Sequence, residues 1–190
     1  TTTTLLTYHI LKNAGLNVGL AGNVGTSFAR QVANNSFDFY VLELSSFQLD
    51  GMYGFKADIA VIMNITPDHL DRYDYNFDNY VASKFRILQN MSNEQKLIFC
   101  QDDDVIINKL TQINPDIDFV PFSIINKPQK GAFIDNNKMV VKTNTEFIMD
   151  INELALQGKH NLYNSMAAAI TANVLKIKKE DIRESLMSFK

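Results

Sequence analysis

One carboxylate in this sequence lies inside an apolar run. Glu43, in FDFYVLEL (37–44), follows Val41 and Leu42 and precedes Leu44. Such a charge either bends to solvent at a strand end or meets a cation or several hydrogen-bond donors, because its desolvation is otherwise uncompensated. The neighbours favour the second, and a carboxylate oxygen is a hard ligand of the kind magnesium takes. The densest polar stretch is Asn64-Ile-Thr-Pro-Asp-His-Leu-Asp-Arg-Tyr73. Thr66 and Pro67 suit the N-cap and first position of a helix. That places His69 one turn in, where an imidazole either packs structurally or ligates a metal or a substrate oxygen. Lys84 falls on the helical stripe of Phe77, Tyr80, Val81 and Leu88. Its stem either snorkels past the core edge or holds a partly buried amine that gives up its proton. Carbon dioxide would convert such an amine to an anionic carbamate able to bridge metal ions. In Gly158-Lys-His-Asn-Leu-Tyr-Asn164, Asn161 and Asn164 share a helix face. They serve either as a helix cap or as paired amides reading a planar ligand such as adenine, beside a helix end that favours phosphate.

The elements that must position these residues alternate strand and helix, the mark of a parallel sheet covered by helices. A helix runs from the N-terminal threonines to near Gly15, followed by a strand at 16–22 and a helix near 26–34. The run at 37–44 reads as a strand buried on both faces, and 59–65 repeats the pattern. A helix at 77–89, a strand at 96–100 and a helix at 104–113 follow. From 118 to 147, Pro121, Pro128, Gly131 and Asn136-Asn137 suggest antiparallel hairpins. Helices near 161–175 and 180–189 finish the chain. The expected fold is α/β, one domain over 1–190: a three-layer parallel-sheet domain with helices on both faces and a small antiparallel hairpin region. Ligands of open parallel sheets bind outside the carboxyl ends of the strands. Three adjacent strands would there deliver Asn23, Glu43 and the Asn64/Asp68-His69 group to one edge.

Composition narrows the classes. The 190 residues are 46% apolar and 21% charged, and an α/β chain of this length buries about 70% of its unfolded surface without staples. Eighteen cationic against 21 acidic side chains give a net charge of −3, which argues against nucleic-acid binding. A lone Cys100 excludes an internal disulfide and cysteine-rich zinc sites and fits a reducing compartment. No run reaches the ~18 apolar residues of a membrane span. The N-terminus lacks a signal-peptide pattern. Thr1–Thr4 run directly into helical periodicity, so the sequence is expected to start inside a longer protein.

Taken together, AGNVG (21–25), ELSSFQL (43–49), NITPDHLDRY (64–73), the helix bearing Lys84 and GKHNLYN (158–164) resemble the central ATPase domain of the Mur ligases. Thr1–Thr4 resemble the residues after the lysine of a GxxGK[ST] phosphate loop, with that lysine immediately before Thr1. The wording of ELSSFQL and GNVG is most similar to members that join D-glutamate to UDP-N-acetylmuramoyl-L-alanine. Sister ligases and folylpolyglutamate synthetase share the scheme.

The resemblance implies an ATP-dependent amide ligase of peptidoglycan precursor synthesis, acting in the cytoplasm as a monomer. It would activate the substrate carboxylate as an acyl phosphate for attack by the D-glutamate amine, with cations and a helix end neutralising the transferring phosphoryl group. By carry-over, Thr1 and Glu43 would hold a first Mg²⁺ with Thr2 near the phosphates. His69 and a carbamylated Lys84 would hold a second. Asn23 would meet the acyl end of the UDP-sugar, with Ser45 and Gln48 as neighbours, and His160, Asn161 and Asn164 would line the adenine side. The family's phosphate-loop glycines and lysine, its UDP-binding domain and its D-glutamate-binding domain lie outside 1–190, so these residues alone are expected to show no ligase turnover and weak ATP binding. Two other readings stand. A metal-dependent phosphohydrolase would rest on Glu43, His69, Asp68 and Asp71 without ATP, and a non-catalytic nucleotide-binding module would leave the His and Asn clusters as caps.

Overall fold

The computed structural model describes residues 1–190. Helix α1 (Thr2–Asn13) buries Leu6, Ile10 and Leu11 along one stripe. It leads into strand β1 (Val18–Gly22), helix α2 (Phe28–Asn34) and strand β2 (Phe39–Glu43). β1 and β2 pair in parallel, with Gly22 opposite Glu43. Gly22 has φ +102°, and a Cβ there would collide with the Glu43 carbonyl. Only glycine permits that approach, and it lets the Asn23 N–H donate to the Glu43 carbonyl at 2.7 Å.

A second, six-stranded sheet carries the core. Its order is β3 (Ile59–Ile62), β4 (Lys96–Cys100), β5 (Asp118–Ser123), β6 (Gly131–Asp135), β7 (Lys138–Lys142) and β8 (Glu146–Asp150). β3 to β6 run parallel, and β6–β7–β8 form an antiparallel meander. Leu97, Ile98, Phe99 and Cys100 are all buried. Successive strand residues point to opposite faces, so both faces of β4 are covered. Helix α6 (Lys159–Val174) lies against β4 to β7 and against α1. Its run Met166–Ala169 is fully buried, because alanines let helix and sheet approach closely. Helix α4 (Phe77–Phe85) adds Tyr80, Val81 and Phe85 to the core, α5 (Asp104–Ile113) adds Ile106 and Leu110, and α7 (Lys179–Ser188) adds Ile182 and Leu186. No helix is long and apolar enough to cross a membrane.

The element order follows the sequence pattern, with four corrections. β2 is half-buried rather than covered on both faces, and Phe39 is exposed: its sole strand partner is β1, so no wide sheet encloses it. β3 is not hydrogen-bonded to β2, so the three strands expected side by side belong to two sheets. The region from 118 opens with a parallel strand, since β5 pairs in parallel with both β4 and β6. Pro121 is tolerated inside β5 because the ladder to β6 starts at Phe122, so the missing N–H costs no rung. Finally, residues 63–69 form no helix. His69 adopts a left-handed conformation (φ 48°) before a single 3₁₀ turn, Leu70–Arg72. Thr66-Pro67 is therefore no helix start, and the polar stretch is an irregular loop that follows β3.

Candidate functional site

The first turn of α1 meets the end of β2. The Thr1 hydroxyl donates to Glu43 Oε1 at 3.1 Å, and Asn23 Nδ2 donates to the same oxygen at 3.0 Å. The other carboxylate oxygen, Oε2, is buried and accepts no side-chain hydrogen bond. Partial burial pushes the Glu43 carboxyl up, the hydrogen bonds from Asn23 and Thr1 act against it, and the group lies below the usual carboxylate value. Glu43 is therefore an ionised carboxylate with one buried oxygen free of hydrogen bonds, the kind of group that completes a hard-cation shell. The first turn of α1 holds no acidic residue and its N-cap Thr1 makes no capping hydrogen bond. Free N–H groups at a helix start favour phosphate.

Next to Glu43 the chain turns into helix α3 (Ser46–Asp50) through a reciprocal capping box. The Gln48 N–H donates to Ser45 Oγ at 3.3 Å, and the Ser45 N–H donates to Gln48 Oε1 at 2.9 Å. Both side chains thus have a local task in turning the chain away from the strand end. α3 packs on α4 through Ser83, whose hydroxyl donates to the Ser46 carbonyl at 3.1 Å.

α4 presents Lys84 to the same region. Its ammonium sits 5.4 Å from the centre of the Tyr80 ring. Burial lowers its pKa, opposed by the carboxylates of Asp68 and Glu43. The charges of the β3 loop and of β2 therefore converge on Lys84. Burial, with Asp68 and Tyr73 nearby, raises the Tyr80 phenol in turn. His69 is less enclosed. Its side chain is 58% exposed, with Nε2 at 3.6 Å from Asp68 Oδ2 and its ring 5.4 Å from that of Phe47. No three of His, Cys, Asp and Glu are grouped to hold a metal. The phosphohydrolase set of Glu43, His69, Asp68 and Asp71 is therefore not assembled as a metal site.

The remaining cluster lies at the start of α6. Gly158 (φ 95°) occupies the N-cap, so neither asparagine is the cap. Instead Asn161 Nδ2 donates to the Gln157 carbonyl at 2.9 Å and Asn164 Nδ2 donates to Asn161 Oδ1 at 3.1 Å. His160 is exposed. The Thr3 hydroxyl donates to Asn164 Oδ1 at 2.7 Å, joining this cluster to the helix turn that also carries Thr1 and Thr2. Sequence reasoning overlooked Thr3; its place two residues after Thr1 in the opening turn of a helix was the available signal.

The architecture and these motifs define a nucleotide-handling α/β domain, and the comparisons say which. Residues 1–172 match the Mur ligase middle domain, and the chain belongs to that family. Over 189 residues it is 54% identical to the UDP-N-acetylmuramoylalanine–D-glutamate ligase of Bacteroides fragilis, covering all of this chain and 43% of that protein. It is 51% identical to the ligase of the same name from Christiangramia forsetii, again over 43% of its length. The chain thus spans less than half the length of these curated relatives. Among solved structures it resembles a UDP-N-acetylmuramoyl-L-alanyl-D-glutamate–2,6-diaminopimelate ligase, with a TM-score of 0.75 at 19% identity over the whole chain and 44% of that structure. It also resembles a MurF ligase from Thermotoga maritima in complex with ADP, with a TM-score of 0.69 at 17% identity over the whole chain and 45% of that one. At these identities the likeness is one of fold.

Proposed function

We propose that this chain is the ATP-binding part of a ligase that joins D-glutamate to UDP-N-acetylmuramoyl-L-alanine through an acyl phosphate, in peptidoglycan precursor synthesis. The relatives' names support the reaction. The observation that carries it in this chain is the Glu43 carboxylate, held ionised against the Thr1 hydroxyl where α1 begins. A carboxylate is a poor acyl donor because oxide is a poor leaving group; transfer of the γ-phosphoryl of ATP removes that obstacle. Thr2 and the free N–H groups of α1 would face the phosphates. Thr1 and Glu43 supply oxygens of the type magnesium takes, and that cation, when bound, neutralises phosphate charge.

Lys84 as an ammonium does not fit a second cation. As a carbamate it would, together with His69, and its lowered pKa keeps more of the amine unprotonated for that reaction. Asn161, Asn164 and His160 stand at the start of α6, where they would meet the base. Asn23, Ser45 and Gln48 flank the side proposed for the UDP-sugar, with Asn23 already oriented by Glu43. The activity is read as cytoplasmic and carried by a monomer.

Phosphate release from ATP by the full-length protein tests the proposal. It should require D-glutamate, UDP-N-acetylmuramoyl-L-alanine and Mg²⁺ together. Release independent of both acceptor substrates, or metal-dependent cleavage of a simple phosphoester without ATP, would overturn it.

A further inference from the structure

Two consecutive carboxylates at the end of β4 bond in opposite directions, and each reaches a different half of the candidate site. Asp103 Oδ1 accepts the Ile106 N–H at 3.0 Å and so caps α5, while its Oδ2 accepts the Ile65 N–H at 3.0 Å. Ile65 is buried and lies in the irregular 63–69 loop that carries Asp68 and His69. That loop has no regular hydrogen bonding of its own, so a side-chain tether to its backbone fixes its path. Asp102 turns the other way. Its Oδ2 accepts the Ile124 N–H at 2.8 Å and the Tyr163 hydroxyl at 2.9 Å, and its Oδ1 accepts the Ser123 hydroxyl. Tyr163 lies between Asn161 and Asn164 on α6.

We infer that Asp102 and Asp103 are positioning residues that set the spacing between the His69 loop and the start of α6, each acting through one hydrogen bond: Asp103 to the Ile65 N–H and Asp102 to the Tyr163 hydroxyl. β4 lies between β3 and β5 in the sheet, so its end is where neighbouring residues can face the two sides. The inference deepens the proposed function, because it concerns which parts of the site move together.

Single side-chain changes separate tether from cap. Asp103→Ser keeps an oxygen for the Ile106 N–H and removes the one facing Ile65; Asp103→Asn keeps the cap and puts a second donor against Ile65. Tyr163→Phe removes only the hydroxyl. In the full-length protein, amide hydrogen exchange should accelerate about tenfold in segment 63–70 for either Asp103 variant, with α5 still protected. Tyr163→Phe should accelerate 159–165 instead. In turnover assays Asp103→Ser should lower kcat about tenfold with little change in the KM for ATP, and Tyr163→Phe should raise that KM more than it lowers kcat.

Unchanged exchange in 63–70, or exchange that rises equally throughout α5, would overturn the inference, as would loss of folding in both Asp103 variants, since that marks a cap alone. A wild-type protein without D-glutamate-dependent turnover would instead refute the ligase reading, and the exchange result would still decide the tethers.

Discussion

The Thr3 hydroxyl donates to Asn164 Oδ1 at 2.7 Å across 161 residues of sequence. This bond joins the start of α1, where phosphate is expected, to the start of α6, where the base is expected. α1 and α6 pack along each other, so the bond fixes the register of two helices already held together by apolar contact. Thr3→Val should cost about 1 kcal/mol in denaturant unfolding, with a similar coupling energy to Asn164 in a double-mutant cycle. An additive cycle would show that the two side chains do not depend on one another.

Glu43→Gln retains the size of the side chain and an acceptor for Asn23 but not the charge. Calorimetry should show ATP affinity losing its dependence on Mg²⁺, and any turnover should fall by about 100-fold or more.

The same variant tests a pH dependence. The Glu43 pKa is lowered in the folded chain, so its ionisation stabilises the fold above the ordinary carboxylate value of 4.5. That contribution disappears as pH falls through the lower, folded value. The stability difference between the parent chain and Glu43→Gln should therefore be full at pH 6 to 7 and vanish in strong acid. A difference that grows on acidification would contradict the assignment of the charge.

Lys84 runs the other way. Burial lowers its pKa, so the protonated amine opposes folding and stability is gained as pH rises past the folded value. Lys84→Met should raise the Tm by a few degrees near neutral pH while abolishing turnover. Bicarbonate should raise the activity of the parent protein if a carbamate is the working form, and should leave Lys84→Met unaffected.

Gly131 has φ +121°, and a Cβ there would collide with the Pro121 carbonyl. Gly131→Ala should destabilise by about 2–4 kcal/mol, through left-handed strain and a backbone clash that cannot relax inside the β5–β6 ladder. Urea unfolding checks it, and a cost below about 0.5 kcal/mol would mean that the strand end shifts freely.

What the linear sequence determined is what depends on near neighbours. The stripe of Phe77, Tyr80 and Val81 makes α4 whatever lies beyond it, and it leaves Lys84 half-buried at the core edge. The apolar run of Leu97 to Cys100 makes a strand enclosed on both faces. Glu43 needed donors, and Asn23 and Thr1 supply them. Tertiary structure decided the rest, because it turns on partners distant in sequence. The polar loop after β3 looked like a capped helix locally. A hydrogen bond from the Ile65 N–H to the Asp103 carboxylate and a left-handed His69 go with an irregular path instead. Pairing likewise separated β2 from β3 and made β5 parallel: hydrogen bonding between strands is a choice among edges, and no single strand's residues record which edge it will meet.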